Sequence, residues 1–113
     1  MSVDNANVID ACSIDKGTAE VVLSIFDHLS WTDATHLAVL QGKINRYLDF
    51  IDSGQLLEDY PQGKGRPIQI AIWLKYPPDD VGKKFLATAE AVLQKAKCRL
   101  SVRVKPEWGD ATA

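Results

Sequence analysis

A chain of 113 residues has the size of one domain, and a content of 46% hydrophobic and 25% charged residues describes a packed globule, not a disordered polymer. No apolar run approaches the roughly 20 residues that cross a bilayer. The opening MSVDNANVID has neither the basic nor the apolar region of a signal peptide, so no membrane contact and a cytoplasmic location are expected.

The net charge of −2 conceals a division. Residues 1–60 carry three basic side chains against ten acidic ones, and residues 61–113 carry ten against five. Such an asymmetry steers a charged partner over about 8 Å at physiological salt. A reducing compartment would leave Cys12 and Cys98, the two cysteines of the chain, as thiols.

One domain is expected over residues 1–113, with loose ends at about 1–6 and 106–113. Val8–Ile14 and Ala19–Phe26 read as a β-hairpin around Asp15-Lys16-Gly17-Thr18, with Gly17 free to take positive φ at no steric cost. Ser30 or Thr32 then caps a helix from Asp33 to about Ser53. Its stripe is Leu37, Leu40, Ile44, Tyr47, Leu48 and Ile51, at the i, i+3, i+4, i+7 spacing of an amphipathic helix. Gly54 ends it in a left-handed cap, and Gln55–Tyr60 adds a further turn.

The clearest strand is Pro67–Tyr76. Ile68, Ile70, Ile72, Leu74 and Tyr76 alternate with Gln69, Ala71, Trp73 and Lys75, so one face is aliphatic nearly throughout. Pro77-Pro78 stops it. Asp79-Asp80 opens a second long helix with a stripe of Val81, Phe85, Ala89, Val92, Leu93 and Ala96, and Cys98–Val104 is the last strand. The order β-β-α-β-α-β predicts an α/β (α+β) two-layer sandwich, because right-handed crossovers running in one direction put both helices on one face of a mixed four-stranded sheet. The other face would carry Trp73, Lys75, Arg99, Ser101 and Arg103. Trp73 is expected to be partly buried against their stems, with a homodimer through this face as the lesser outcome.

Asp27, His28, Asp33 and His36 fall within ten residues and invite a metal or acid–base reading. Zinc needs three or four converging ligands at spacings not found here, and both histidines fall at positions common on surfaces. No metal, cofactor or catalytic group is therefore called for. Gln62-Gly63-Lys64-Gly65-Arg66 lacks the phosphate-loop motif and reads as a connector. Trp73 with Lys75, Arg99 and Arg103 is the nearest approach to a nucleic-acid surface, but one aromatic on an acidic chain argues against that partner.

The segments Val3-Asp4-Asn5 with Val8-Ile9-Asp10, Asp27-His28-Leu29 with Trp31, and Phe50 through Pro61 resemble a family of small bacterial domains of unknown function. That resemblance covers most of the chain and implies no activity. Size and acidity are similar to those of immunity proteins. The leading expectation is a protein-binding module of immunity type that neutralises a toxin through Tyr47, Asp49, Asp52, Glu58, Asp59 and Tyr60, with Trp73 as a further contact. Carboxylates interleaved with tyrosines suit a basic active site. The alternative is a small enzyme or ligand-binding domain using Asp27, His28 and His36.

Overall fold

The computed structural model describes residues 9–104. Val8 and the expected loose ends lie outside them. Four strands, β1 (Ala11–Ile14), β2 (Val21–Asp27), β3 (Ile68–Leu74) and β4 (Cys98–Val104), form one sheet in the order β1-β2-β3-β4. β1 pairs antiparallel with β2, while β2–β3 and β3–β4 are parallel. The helices are α1 (His36–Asp52), α2 (Gln55–Asp59) and α3 (Asp80–Lys95), with a 3-10 turn at Pro61–Gly63. This is the expected mixed four-stranded α/β sandwich, with one short helix more. Among the described residues no helix is long and apolar enough to cross a membrane.

Register explains the core. Leu23, Ile70 and Leu100 lie side by side across three strands, as do Val21, Ile68 and Cys98. These positions share one face, and Leu40, Ile44, Tyr47 and Phe50 of α1 pack on it together with Leu86, Ala89 and Leu93 of α3. Both crossovers advance in the same direction, so both long helices cover that face. Ile70 and Ile72 are fully buried.

Three local expectations are corrected. Ala19, not Gly17, takes the left-handed conformation in the hairpin turn (φ 64). The turn is closed by the Asp15 carboxylate, whose Oδ1 accepts from the N–H groups of Gly17 and Thr18. α1 starts at His36, three residues later than expected, because Asp33 Oδ1 accepts from Thr35 N and Oγ1 and so holds a turn in place of a helical start.

The buried stripe of α3 is Gly82, Leu86, Ala89 and Leu93, with Phe85 half-buried. Val81, Val92 and Ala96 are exposed, so the helix is rotated from the expected face. The cause is Gly82: a Cβ there would meet the Trp31 ring at 2.7 Å, so the indole seats on the helix where no side chain stands. The Asp79 carboxylate caps the helix, accepting from Gly82 N at 2.7 Å. At the end of α1, Gly54 is left-handed as expected (φ 86) and also caps α2. The glycine-containing connector is tied back to the hairpin turn by Arg66, whose guanidinium donates to Ala19 O at 3.2 Å.

Candidate functional site

Parallel β2 and β3 end together, and Asp27 is the last residue of β2. Its Oδ2 lies 2.5 Å from His36 Nε2, and both residues are about 1% exposed. Oδ1 accepts from Leu29 N. The other ring nitrogen, Nδ1, faces Ser30 O at 3.1 Å. A carbonyl only accepts, so Nδ1 carries a hydrogen and a second proton lies between Nε2 and Asp27. Burial pushes the Asp27 carboxyl above its ordinary range, and the bond from His36 opposes that shift.

Trp31 closes the pair. Its ring lies 4.1 Å from the imidazole and its Nε1 donates to Tyr76 O at 3.0 Å. The expectation that His36 sits at the surface is therefore corrected, while His28 is exposed. Asp33 is also exposed, and its bonds to Thr35 lower its pKa. The four residues do not converge. Among the described residues no three of His, Cys, Asp and Glu are grouped to hold a metal.

A second buried pair lies under β1. Lys43 Nζ meets Asp10 Oδ1 at 2.8 Å, with both side chains 0% exposed. Asp10 Oδ2 accepts from Phe26 N, and its own N–H donates to the Tyr47 hydroxyl, which donates in turn to Ser24 O. Burial raises the Tyr47 pKa. Tyr47 is therefore not a surface contact: its ring is in the core and its hydroxyl is used internally. Its place on the apolar stripe of α1 was the correct signal. Lys43 lies on the same stripe, one turn from Leu40 and Tyr47, and a cation there was the overlooked sign of a buried partner.

The remaining acidic residues behave differently. Asp49 and Asp52 at the end of α1, and Glu58 and Asp59 on α2, are all exposed. Among the described residues the carboxylates in salt bridges are Asp10, Glu20 and Asp27, and none of these four is among them. Asp59 accepts from Gln55 Nε2 at 2.9 Å. Together with half-buried Tyr60 it lines an open groove of about 490 Å³, where Phe50 and Arg46 also stand. The groove brings together Asp59 and Tyr60; Asp49, Asp52 and Glu58 are exposed on the same two consecutive helices, outside its lining.

Trp73 lies elsewhere, half-buried on the face of the sheet away from the helices, in register with Phe26 and Arg103. On that face Arg99 is committed to Glu20 through bonds of 2.9 and 2.7 Å. Gln69 joins them through Glu20 Oε1 and accepts from Ser101. The bonds from Arg99, more than any other cause, hold the Glu20 carboxyl down to about 2. Arg99 is thus spent within the fold, which removes one cation from the row that resembled a nucleic-acid surface.

No curated protein and no solved structure matches the chain. The model of a family described as Family of unknown function (DUF6572) matches residues 1–106, and the chain belongs to that family.

Proposed function

We propose that this protein is a protein-binding module of immunity type, which neutralises a basic toxin or enzyme by seating it on Asp49, Asp52, Glu58 and Asp59 with Tyr60 beside them. The observation that supports this reading is the contrast in how carboxylates are used. Asp10, Glu20 and Asp27 are paired inside the fold, whereas these four are exposed and outside any ion pair of the described residues. Unpaired surface carboxylates keep their field for a partner and speed its approach. Tyr60, half-buried at the groove, supplies a rigid aromatic contact of the kind that anchors interfaces.

The alternative, a small enzyme or ligand-binding domain on Asp27, His28 and His36, has less support. Two of those residues are sealed beneath Trp31, and the third faces solvent alone. The test of the leading reading is a binding titration against the product of the adjacent gene. A complex whose association slows as salt is added is expected. Failure of that product to bind at low salt would overturn the reading.

A further inference from the structure

The imidazole of His36 faces a hydrogen-bond acceptor at each nitrogen. Nε2 lies 2.5 Å from Asp27 Oδ2 and Nδ1 lies 3.1 Å from Ser30 O, with the side chain 1% exposed. A neutral imidazole has one N–H and answers one acceptor. Beside a carboxylate it would leave a lone pair against an oxygen, at Asp27 or at Ser30. The closed arrangement therefore holds one proton more than a neutral ring and a carboxylate together.

We infer that this proton latches the turn between β2 and α1, and that raising the pH releases the turn and lifts Trp31 from α3. The contact to Ser30 O is the longer and the less buried of the two, so it gives way when the proton leaves to solvent. Trp31 is the next residue. Its seat is the imidazole at 4.1 Å, the bare backbone of Gly82 and the bond from Nε1 to Tyr76 O. An open pocket of about 220 Å³ lined by Trp31, Asp33, Asp79 and Gly82 adjoins the indole, so the ring can leave without repacking the core. The inference concerns the end of the sheet away from the proposed partner surface and does not depend on it.

Charged groups on the surrounding elements are otherwise committed or exposed. His28 follows Asp27 and faces solvent, and Asp33, in the turn itself, is bonded to Thr35. On α1, Lys43 is paired with Asp10. At the start of α3, Asp79 accepts from Gly82 N and Asp80 is exposed. At the end of β3, Lys75 donates its backbone N–H to Asp27 O, while its ammonium stands 5.6 Å from the centre of the Tyr76 ring. Among the described residues none of these side chains bonds to the imidazole, which leaves Asp27 as its charged partner. Closing takes up one proton. Above about pH 6.5, where a free imidazole is neutral, each further pH unit should therefore favour the open turn about tenfold.

Nitrogen-15 and proton NMR of the full chain over about pH 5 to 10 tests this. Below the midpoint both ring nitrogens of His36 should carry hydrogen. As one hydrogen is lost, the Overhauser contact between the Trp31 ring and Gly82 should fade with the same midpoint. Asp27→Asn sets an amide in place of the carboxylate, able to donate to Nε2 while Nδ1 keeps its hydrogen for Ser30 O. That variant is expected to hold Trp31 on Gly82 at every pH, whereas His28→Gln should keep the wild-type response. Ring hydrogens that both persist at every pH at which the chain stays folded overturn the inference. So does a Trp31 contact that ignores the His36 titration, or a response that survives Asp27→Asn. If Asp27→Asn does not fold, the two wild-type midpoints decide: coincidence supports the latch, and separation overturns it.

Discussion

The two ends of the sheet use the same kind of residue in opposite ways. At the carboxyl ends of β2 and β3, Asp27 is buried against His36 and roofed by Trp31. Towards the other end, α1 and α2 finish in four exposed carboxylates beside a groove. Of the two histidines and two aspartates that fall within ten residues of the sequence, Asp27 and His36 are buried against each other, and His28 and Asp33 are exposed apart from them. The end without a histidine is open. Clustering along the chain therefore says less than what each carboxylate has been given to bond.

The largest test of this contrast breaks the closed end. Asp27→Ala leaves the imidazole of His36 buried with an unanswered nitrogen, and Lys43→Ala does the same to Asp10. Each should cost about 3–5 kcal/mol in chemical denaturation, the range for removing one partner of a buried pair. Losses below about 1 kcal/mol would mean that these sites rehydrate easily and that the closed end is not closed.

A smaller effect is expected where the roof meets α3. Gly82→Ala places a methyl group 2.7 Å from the Trp31 ring, so the indole must shift, at about 1–3 kcal/mol. A change in tryptophan emission should accompany the loss. An unchanged spectrum and stability would show that Trp31 is loosely held.

The pH dependence separates a paired carboxylate from the free ones. Glu20 titrates at about 2 in the folded chain against 4.5 for a free glutamate. Its pKa is depressed on folding, so its contribution is complete above pH 4.5 and is lost as pH falls from there towards 2. Thermal melts should show Glu20→Gln removing part of that acid sensitivity. If the variant and the wild type lose stability in parallel over that window, the Glu20 carboxyl is not depressed on folding.

The smallest effect on folding is expected at the open end. Asp49→Lys combined with Asp52→Lys should change stability by no more than about 0.5 kcal/mol, yet slow association with a basic partner and weaken its salt dependence. An unchanged association rate at low salt would remove electrostatic steering from the proposed function.

Much of the architecture was legible because it rests on period and punctuation. The aliphatic alternation of β3, the Pro77-Pro78 stop, the acidic start of α3 at Asp79-Asp80 and the left-handed Gly54 are local signals, and each appears in the structure. What was not legible depends on contacts between distant segments. The rotation of α3 follows from Trp31 resting on Gly82, 51 positions away. The burial of His36 needs Asp27 brought back across an irregular turn, and no spacing rule signals that. Tyr47 is a different case: periodicity placed it correctly, and the charge of its neighbours argued wrongly for the surface.

The Asp10–Lys43 pair bears on how the sheet opens. β1 is only four residues long and lies at an edge, where strands normally fray and exchange their amide hydrogens at little cost. Here detaching it would pull Asp10 from Lys43, Tyr47 and Phe26 together, breaking a buried ion pair and two buried hydrogen bonds at once. The β1 amides that bond to β2 should then exchange with solvent as slowly as those of the central strands, through global unfolding, so that the shortest strand opens only when the whole molecule does.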